Sequence, residues 1–200
     1  MVAWAVSALI DAGCVEQIVV VTDVDMAVPL VRQALSGHRP DQRAVVIGGG
    51  PSRHASIHRA LSTIESHVEI VVLHDACRPL APPEVVSRVV GAVRRGAPGA
   101  VPVVEVTETV KELDPDGRVT RTVPRESVVR LQRPQAVRRS LLDAAHARCA
   151  PTDLTTDEAG ALAPPGTSLV TVQGDHDAFP VLRPADLTLA QAVLARRSGQ

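Results

Sequence analysis

The chain has 200 residues and a formal net charge of −1, too even a balance for a broad basic face that would hold DNA or an anionic membrane. Hydrophobic residues make up 45% but aromatic residues only 1%, which leaves few rings for stacking bases and argues against a nucleic-acid binder. The three cysteines, Cys14, Cys77 and Cys149, form no CxxC pair, and no apolar run nears the ~20 residues of a membrane span. Met1 opens no basic-then-apolar leader, so the expectation is a cytoplasmic protein with one domain over 1–200 and no nucleic-acid or membrane partner.

Val2, Val6, Leu9 and Ile10 fall on one face of a first helix, with Gly13 placed as its C-terminal cap. Ile18-Val19-Val20-Val21 reads as a short buried strand, and a second helix is expected from about 25 to 35, with Pro29 near its first turn. Ala44-Val45-Val46-Ile47 is the next strand and ends in Gly48-Gly49-Gly50. Ile57, Ala60, Leu61 and Ile64 then space the apolar face of a helix. Ile70-Val71-Val72-Leu73 is a strand that leads into His74-Asp75-Ala76-Cys77-Arg78-Pro79. Pro82-Pro83 opens a helix with Val85, Val86, Val89 and Val93 inward, and 100–104 is again a strand. This alternation, with a core of Val, Leu, Ile and Ala, predicts an α/β fold: a Rossmann-like, mostly parallel sheet with helices on both faces.

The rhythm breaks after Val104. Residues 107–113 and 118–123 flank Asp114-Pro115-Asp116-Gly117, a strong turn signal, so 107–123 reads as a β-hairpin arm inserted in the α/β domain. Residues 128–131 resume a strand, 141–147 are helical, and a short helix follows Thr156-Asp157. A late strand covers 169–172, and an amphipathic helix from Pro184 to about Arg196 closes the chain.

Two local signals could carry chemistry. The 74–79 run lies just past the C-terminal end of an apolar strand, where open α/β sheets place ligands. Asp75 there could hold Mg²⁺ against a triphosphate, with Arg78 beside it for phosphate. The same residues also suit an ordinary loop in which Asp75 and Arg78 pair, and the motif alone leaves both open. The second signal is Gly49-Gly50-Pro51-Ser52-Arg53-His54-Ala55-Ser56, whose glycines permit close approach to a helix N-terminus. It fails the dinucleotide fingerprint because Arg53 stands at the third glycine, and taken alone a tight turn with Ser52 as N-cap is its simpler reading. His54 and His58 share a helix face without a third ligand, so a solvated pair is the simpler reading there too. Asp175-His176-Asp177 reads as a polar loop, and Arg94-Arg95 and Arg138-Arg139 as solvated helix ends.

In order, the chain carries Gly49-Gly50-x-x-Arg53-x-x-Ser56, the 74–79 run, Thr109-Val110-Lys111, Thr122-Val123-Pro124-Arg125, Pro134-Gln135, Thr156-Asp157-Glu158-Ala159 and Arg183-Pro184-x-Asp186-Leu187. This ordered set resembles the 2-C-methyl-D-erythritol 4-phosphate cytidylyltransferases of isoprenoid synthesis, from about Val2 to about Ala195. The resemblance implies that CTP and a sugar phosphate are the substrates and that Mg²⁺ assists. It places Gly49, Gly50, Ser56 and Ala76 at the nucleotide, Asp75 at the metal, Arg78 in organising that loop, and Thr109 and Arg125 at the sugar phosphate. It also implies a homodimer built with the 107–123 arm.

Departures from the family pattern carry expectations of their own. Family members begin with a strand, a glycine-rich loop bearing an Arg, and a Pro-Lys pair; here Met1-Val2-Ala3-Trp4 aligns with the helix after them. Arg133 stands where the family has Thr, and Pro180 where it has a late Lys. The expectation is a fold without the family's first strand and loop, with two inner strands lacking partners, and with impaired transfer. Competing readings are a cytidylyltransferase whose start lies upstream of Met1, a degenerate paralogue that binds a nucleotide or a protein, a ribitol-5-phosphate cytidylyltransferase, and a dinucleotide-dependent enzyme, the last disfavoured by Arg53.

Overall fold

The computed structural model describes residues 1–23, 25, 28–31, 43–148 and 168–199. The motif at 156–159, Cys149 and most of the helix expected at 25–35 lie outside them.

Strands and helices alternate through the first half: α1 (Val2–Asp11), β1 (Gln17–Thr22), β2 (Arg43–Gly48), α2 (Arg53–Thr63), β3 (Ile70–Leu73), α3 (Pro83–Arg94) and β4 (Gly99–Glu105). Then come β5 (Val110–Leu113), β6 (Val119–Val123), a short 3₁₀ turn (Arg125–Ser127), β7 (Val129–Leu131), β8 (Gln135–Arg138), α4 (Arg139–Arg148), β9 (Val170–Gln173) and α5 (Pro184–Arg197). Helix ends follow the local chemistry. Gly13 takes φ +67°, the left-handed conformation open to glycine, and its N–H returns to Ile10 O at 3.0 Å. Ser52 Oγ accepts the Ala55 N–H at 3.1 Å and starts α2.

Side chains alternate across the strands, and so the helices divide between two faces. Val71 and Val137 pack with Ile57, Leu61 and Leu142 of α2 and α4. Ile70, Val72 and Ala136 point the other way, onto Val86, Val89 and Val93 of α3 and Leu9 of α1. Val85 and Val89 are completely buried, each stabilising the fold by roughly 1.5–3 kcal/mol relative to an exposed side chain.

The expected mostly parallel sheet is corrected. β1 and β2 form a parallel pair apart from a five-stranded sheet ordered β3-β8-β4-β7, in which β9 also pairs with β4. In that sheet only β4–β9 is parallel; β3–β8, β4–β8 and β4–β7 are antiparallel. The reason lies in the route of the chain. It leaves the sheet along β4, makes the β5–β6 hairpin, and comes straight back, with Leu131 opposite Val103 and then Ala136 opposite Ala100. A direct return of this kind, without a crossover helix, must run antiparallel. Arg139 is also no solvated helix end, since its guanidinium donates to Glu65 O at 2.6 Å and Leu61 O at 3.3 Å at the C-terminus of α2.

Candidate active site

The C-terminal ends of β2 and β3 bring the two sequence signals together. After β2, the Gly50 N–H donates to Ser56 Oγ at 3.0 Å, and Arg59 Nη1 donates to Gly49 O at 2.6 Å. A methyl group at Gly50 would meet the Ala55 Cβ at 2.6 Å and the Ser56 nitrogen at 3.1 Å, so the turn folds back on α2 too closely for any side chain. The result is a tight backbone cradle beside the N-terminus of α2, whose dipole favours negative charge or a polar base edge.

From this turn Arg53 Nη2 reaches Asp75 Oδ1, just beyond β3, at 2.9 Å. The other carboxylate oxygen, Oδ2, meets Arg133 Nε at 2.9 Å. Arg133 is the more deeply held partner, its side chain 8% exposed against 44% for Arg53. Asp75 pairs with these two arginines and not with Arg78. Arg78 instead donates from Nη1 to Ala178 O at 2.6 Å, while Val181 N–H donates to Cys77 O at 2.7 Å. The 74–79 loop is thus laced to the loop that carries Pro180. Asp175 and Asp177 in that loop are more than a polar stretch: Gln132 bonds both the N–H and the carbonyl of Asp175, and Asp177 holds Arg196 and Arg197 of α5.

Burial sets the protonation states. Burial pushes the His74 imidazole down to about 4, partly offset by Asp75 and the Arg78 backbone, so the ring is neutral at pH 7. The residue keeps some exposed surface, but both ring nitrogens are closed off from solvent. Burial first, and then Asp75, push the Cys77 thiol up, so it is not a thiolate nucleophile. Burial also lowers Arg78, which still stays charged at pH 7 because a guanidinium starts so high. Arg53 and Arg133 pair with Asp75 and Arg78 lies close by, and guanidiniums grouped in this way suit a phosphate.

Gly49, Gly50, Ser56, Asp75 and Arg78 meet in this region, with exposed Ala76 following Asp75. Thr109 and Arg125 do not join it within the chain. Thr109 is exposed just before β5, and Arg125 pairs with its neighbour Glu126 at 3.5 Å. Sequence reasoning gave no role to two contributors: Arg53, quoted in the 49–56 motif and as the residue that breaks a fingerprint, and Arg133, read as a departure. A lone arginine after an apolar strand gives no sign of its partner. No group of three or more His, Cys, Asp or Glu gathers as a metal cage among the described residues.

The family described as IspD, 2-C-methyl-D-erythritol 4-phosphate cytidylyltransferase, matches residues 1–196. A relative of that name from Frankia casuarinae is 44% identical over 98% of this chain and 71% of its own length. Another from Streptomyces coelicolor is 38% identical over 98% of this chain and 75% of its own. The solved 2-C-methyl-D-erythritol 4-phosphate cytidylyltransferase of Thermus thermophilus superposes with a TM-score of 0.74 at 30% identity, covering 95% of this chain and 86% of that one. The fold also matches that of 4-diphosphocytidyl-2C-methyl-D-erythritol synthase from Anaerococcus prevotii, TM-score 0.81 at 22% identity over 95% of this chain and 85% of that one. With nearly the whole chain matched and the 49–56 and 74–79 motifs meeting at the ends of β2 and β3, the chain belongs to the 2-C-methyl-D-erythritol 4-phosphate cytidylyltransferase family.

Proposed function

We propose that this chain transfers the cytidylyl group of CTP to 2-C-methyl-D-erythritol 4-phosphate. A phosphate oxygen of the acceptor bonds to the α-phosphorus of CTP, the bond from that phosphorus to the bridging oxygen breaks, and pyrophosphate leaves. The observation that carries the reading is the Gly50–Ser56 cradle set beside Asp75 with Arg53 and Arg133 on its two oxygens.

In this reading Gly49, Gly50 and Ser56 hold the cytosine edge through backbone groups, and Ala76 lies along the nucleotide. Arg53 and Arg78 meet phosphate oxygens, and Arg133 fixes Asp75. Positioning and charge neutralisation are what phosphoryl chemistry asks of a protein. Mg²⁺ on a nucleotide takes one or two protein carboxylates and fills its shell with phosphate and water. Asp75 meets that minimum on exchanging Arg53, the more exposed of its two partners, for the ion. When bound, the ion offsets charge on the phosphates. Thr109 and Arg125 serve the acceptor phosphate from the arm of a second copy in a homodimer.

The same reading holds that transfer is slow. The uncharged Pro180 beside the 74–79 loop, where the resemblance gives a lysine, supports it. The test is pyrophosphate release with enzyme in excess over CTP, so that a slow enzyme still registers. Release that needs CTP, Mg²⁺ and methylerythritol phosphate together, and is lost in Asp75→Asn, is expected. Release indifferent to the acceptor, or none after many hours, overturns the proposal.

A further inference from the structure

Arg133 and Asp75 meet because of a strand ladder. β3 and β8 pair antiparallel, with Leu73 opposite Gln135. Asp75 follows Leu73 by two residues and Arg133 precedes Gln135 by two, so the same register carried past the strand ends sets the two side chains face to face. The bond that results runs from Arg133 Nε to Asp75 Oδ2 at 2.9 Å. Arg133 is also fixed from behind. Its Nη1 donates to Oε1 of the buried Gln135 at 3.3 Å, and Gln135 Nε2 donates to Gln132 O at 3.2 Å. The Gln132 N–H in turn donates to Pro102 O of β4 at 2.8 Å, and its side chain bonds both backbone groups of Asp175.

A divalent ion that approaches Asp75 must displace one guanidinium or share the carboxylate with both. Arg53 leaves at little cost, because its side chain is 44% exposed and an ion pair open to water contributes little. Arg133, at 8%, has no such exit, and a buried guanidinium stripped of its partner is strongly unfavourable. Arg133 therefore stays. It keeps Oδ2 and stands as a fixed positive charge beside the oxygen that Arg53 gives up.

We propose that Arg133 is a positioning residue that limits Asp75 to one oxygen, Oδ1, for a divalent ion and weakens the hold of the chain on that ion. The inference rests on the reading of Asp75 as the metal carboxylate. One carboxylate oxygen shared out in this way leaves the ion dependent on nucleotide phosphates and water for most of its ligands. A purely structural Arg133 would change stability when replaced and leave metal affinity where it was.

The probe is Mn²⁺, which shares the oxygen preference of Mg²⁺ and gives a paramagnetic resonance signal while free. It is titrated into the full chain without nucleotide or acceptor. The unaltered chain is expected to half-saturate no tighter than about 0.1 mM, weaker than cages built from several carboxylates. Arg133→Gln removes the charge and is expected to bind at least roughly fivefold more tightly. Arg133→Lys keeps the charge and is expected to restore the weak binding. The gain in Arg133→Gln is expected to vanish when Asp75→Asn is added. Equal affinity of Arg133→Gln and the unaltered chain, a gain that survives Asp75→Asn, or a lysine variant that binds like the glutamine one overturns the inference and leaves cytidylyl transfer to its own assay. If neither chain holds Mn²⁺ through Asp75, the metal role of Asp75 falls with it. Should Arg133→Gln not fold, the unaltered chain decides alone: Mn²⁺ held tighter than about 0.1 mM overturns the inference, and weaker binding upholds it.

Discussion

Arg133 places its Nε 2.9 Å from Asp75 Oδ2, and its side chain is only 8% exposed. Asp75 keeps its second oxygen on the far more exposed Arg53. The carboxylate is thus anchored on one side and exchangeable on the other. That arrangement presents Asp75 in one orientation while leaving it able to change partners.

Removing the anchored side should be felt in stability. Arg133→Gln is expected to cost about 2 kcal/mol, because the half-buried Asp75 loses one of two partners at 2.9 Å while Arg53 still compensates in part. For a chain of this length that is a fall of roughly 4–8 °C in Tm. Thermal unfolding is the measurement, and a shift below about 1 °C would show that the pair contributes little.

At the cradle, Gly50→Ala should act on nucleotide binding. The added methyl meets the Ala55 Cβ at 2.6 Å and must push the turn off α2, breaking the Gly50–Ser56 bond. Calorimetry with CTP and Mg²⁺ should show binding weakened at least roughly tenfold, the equivalent of one lost hydrogen bond with its unpaired partner. Unchanged affinity would remove the cradle from the site.

The start of α5 gives a pH-dependent prediction. Asp186 Oδ2 accepts the N–H groups of Leu182 and Arg183 at 2.9 and 2.8 Å, and these bonds hold its carboxyl below the usual 3.8. A carboxylate depressed on folding stabilises fully above its unfolded value and loses that contribution as pH falls through the lower folded one. Asp186→Asn should therefore unfold more readily than the unaltered chain at pH 7, with the gap closing below about pH 3.8. Urea unfolding at several pH values checks this; a gap that persists unchanged at about pH 2.5 contradicts it.

The arm makes a prediction about assembly. Leu113 and Val119 are 57% and 62% exposed on a hairpin whose two strands pair with each other. Light scattering should report a dimer for the intact chain and a monomer when 107–123 is replaced by a short glycine linker. A monomer in both cases removes the arm from any interface.

Periodicity and turn chemistry made much of the fold legible. The Ser52 cap, the Gly13 terminus, the Asp114–Gly117 turn and the inward valines of α3 are local facts, decided by residues within a few positions of one another. What escaped was decided at long range. Gln135–Arg138 has only Ala136 and Val137 as apolar residues, and its antiparallel place beside β4 is set by the route of the chain. Likewise the Asp75 partners could not be read from the 74–79 run, which offered Arg78 as the nearest cation, whereas folding brings Arg53 and Arg133 from other elements.

The return of β7 along β4 makes the arm and Arg133 parts of one ruler. Leu131 lies opposite Val103 and Val129 opposite Glu105, and Arg133 follows two residues on. A slip of one residue in that ladder would turn every later side chain to the opposite face and carry the guanidinium away from Asp75. Tension applied at the hairpin tip runs along the same backbone, so whatever grips the arm also sets the gauge by which the carboxylate is held.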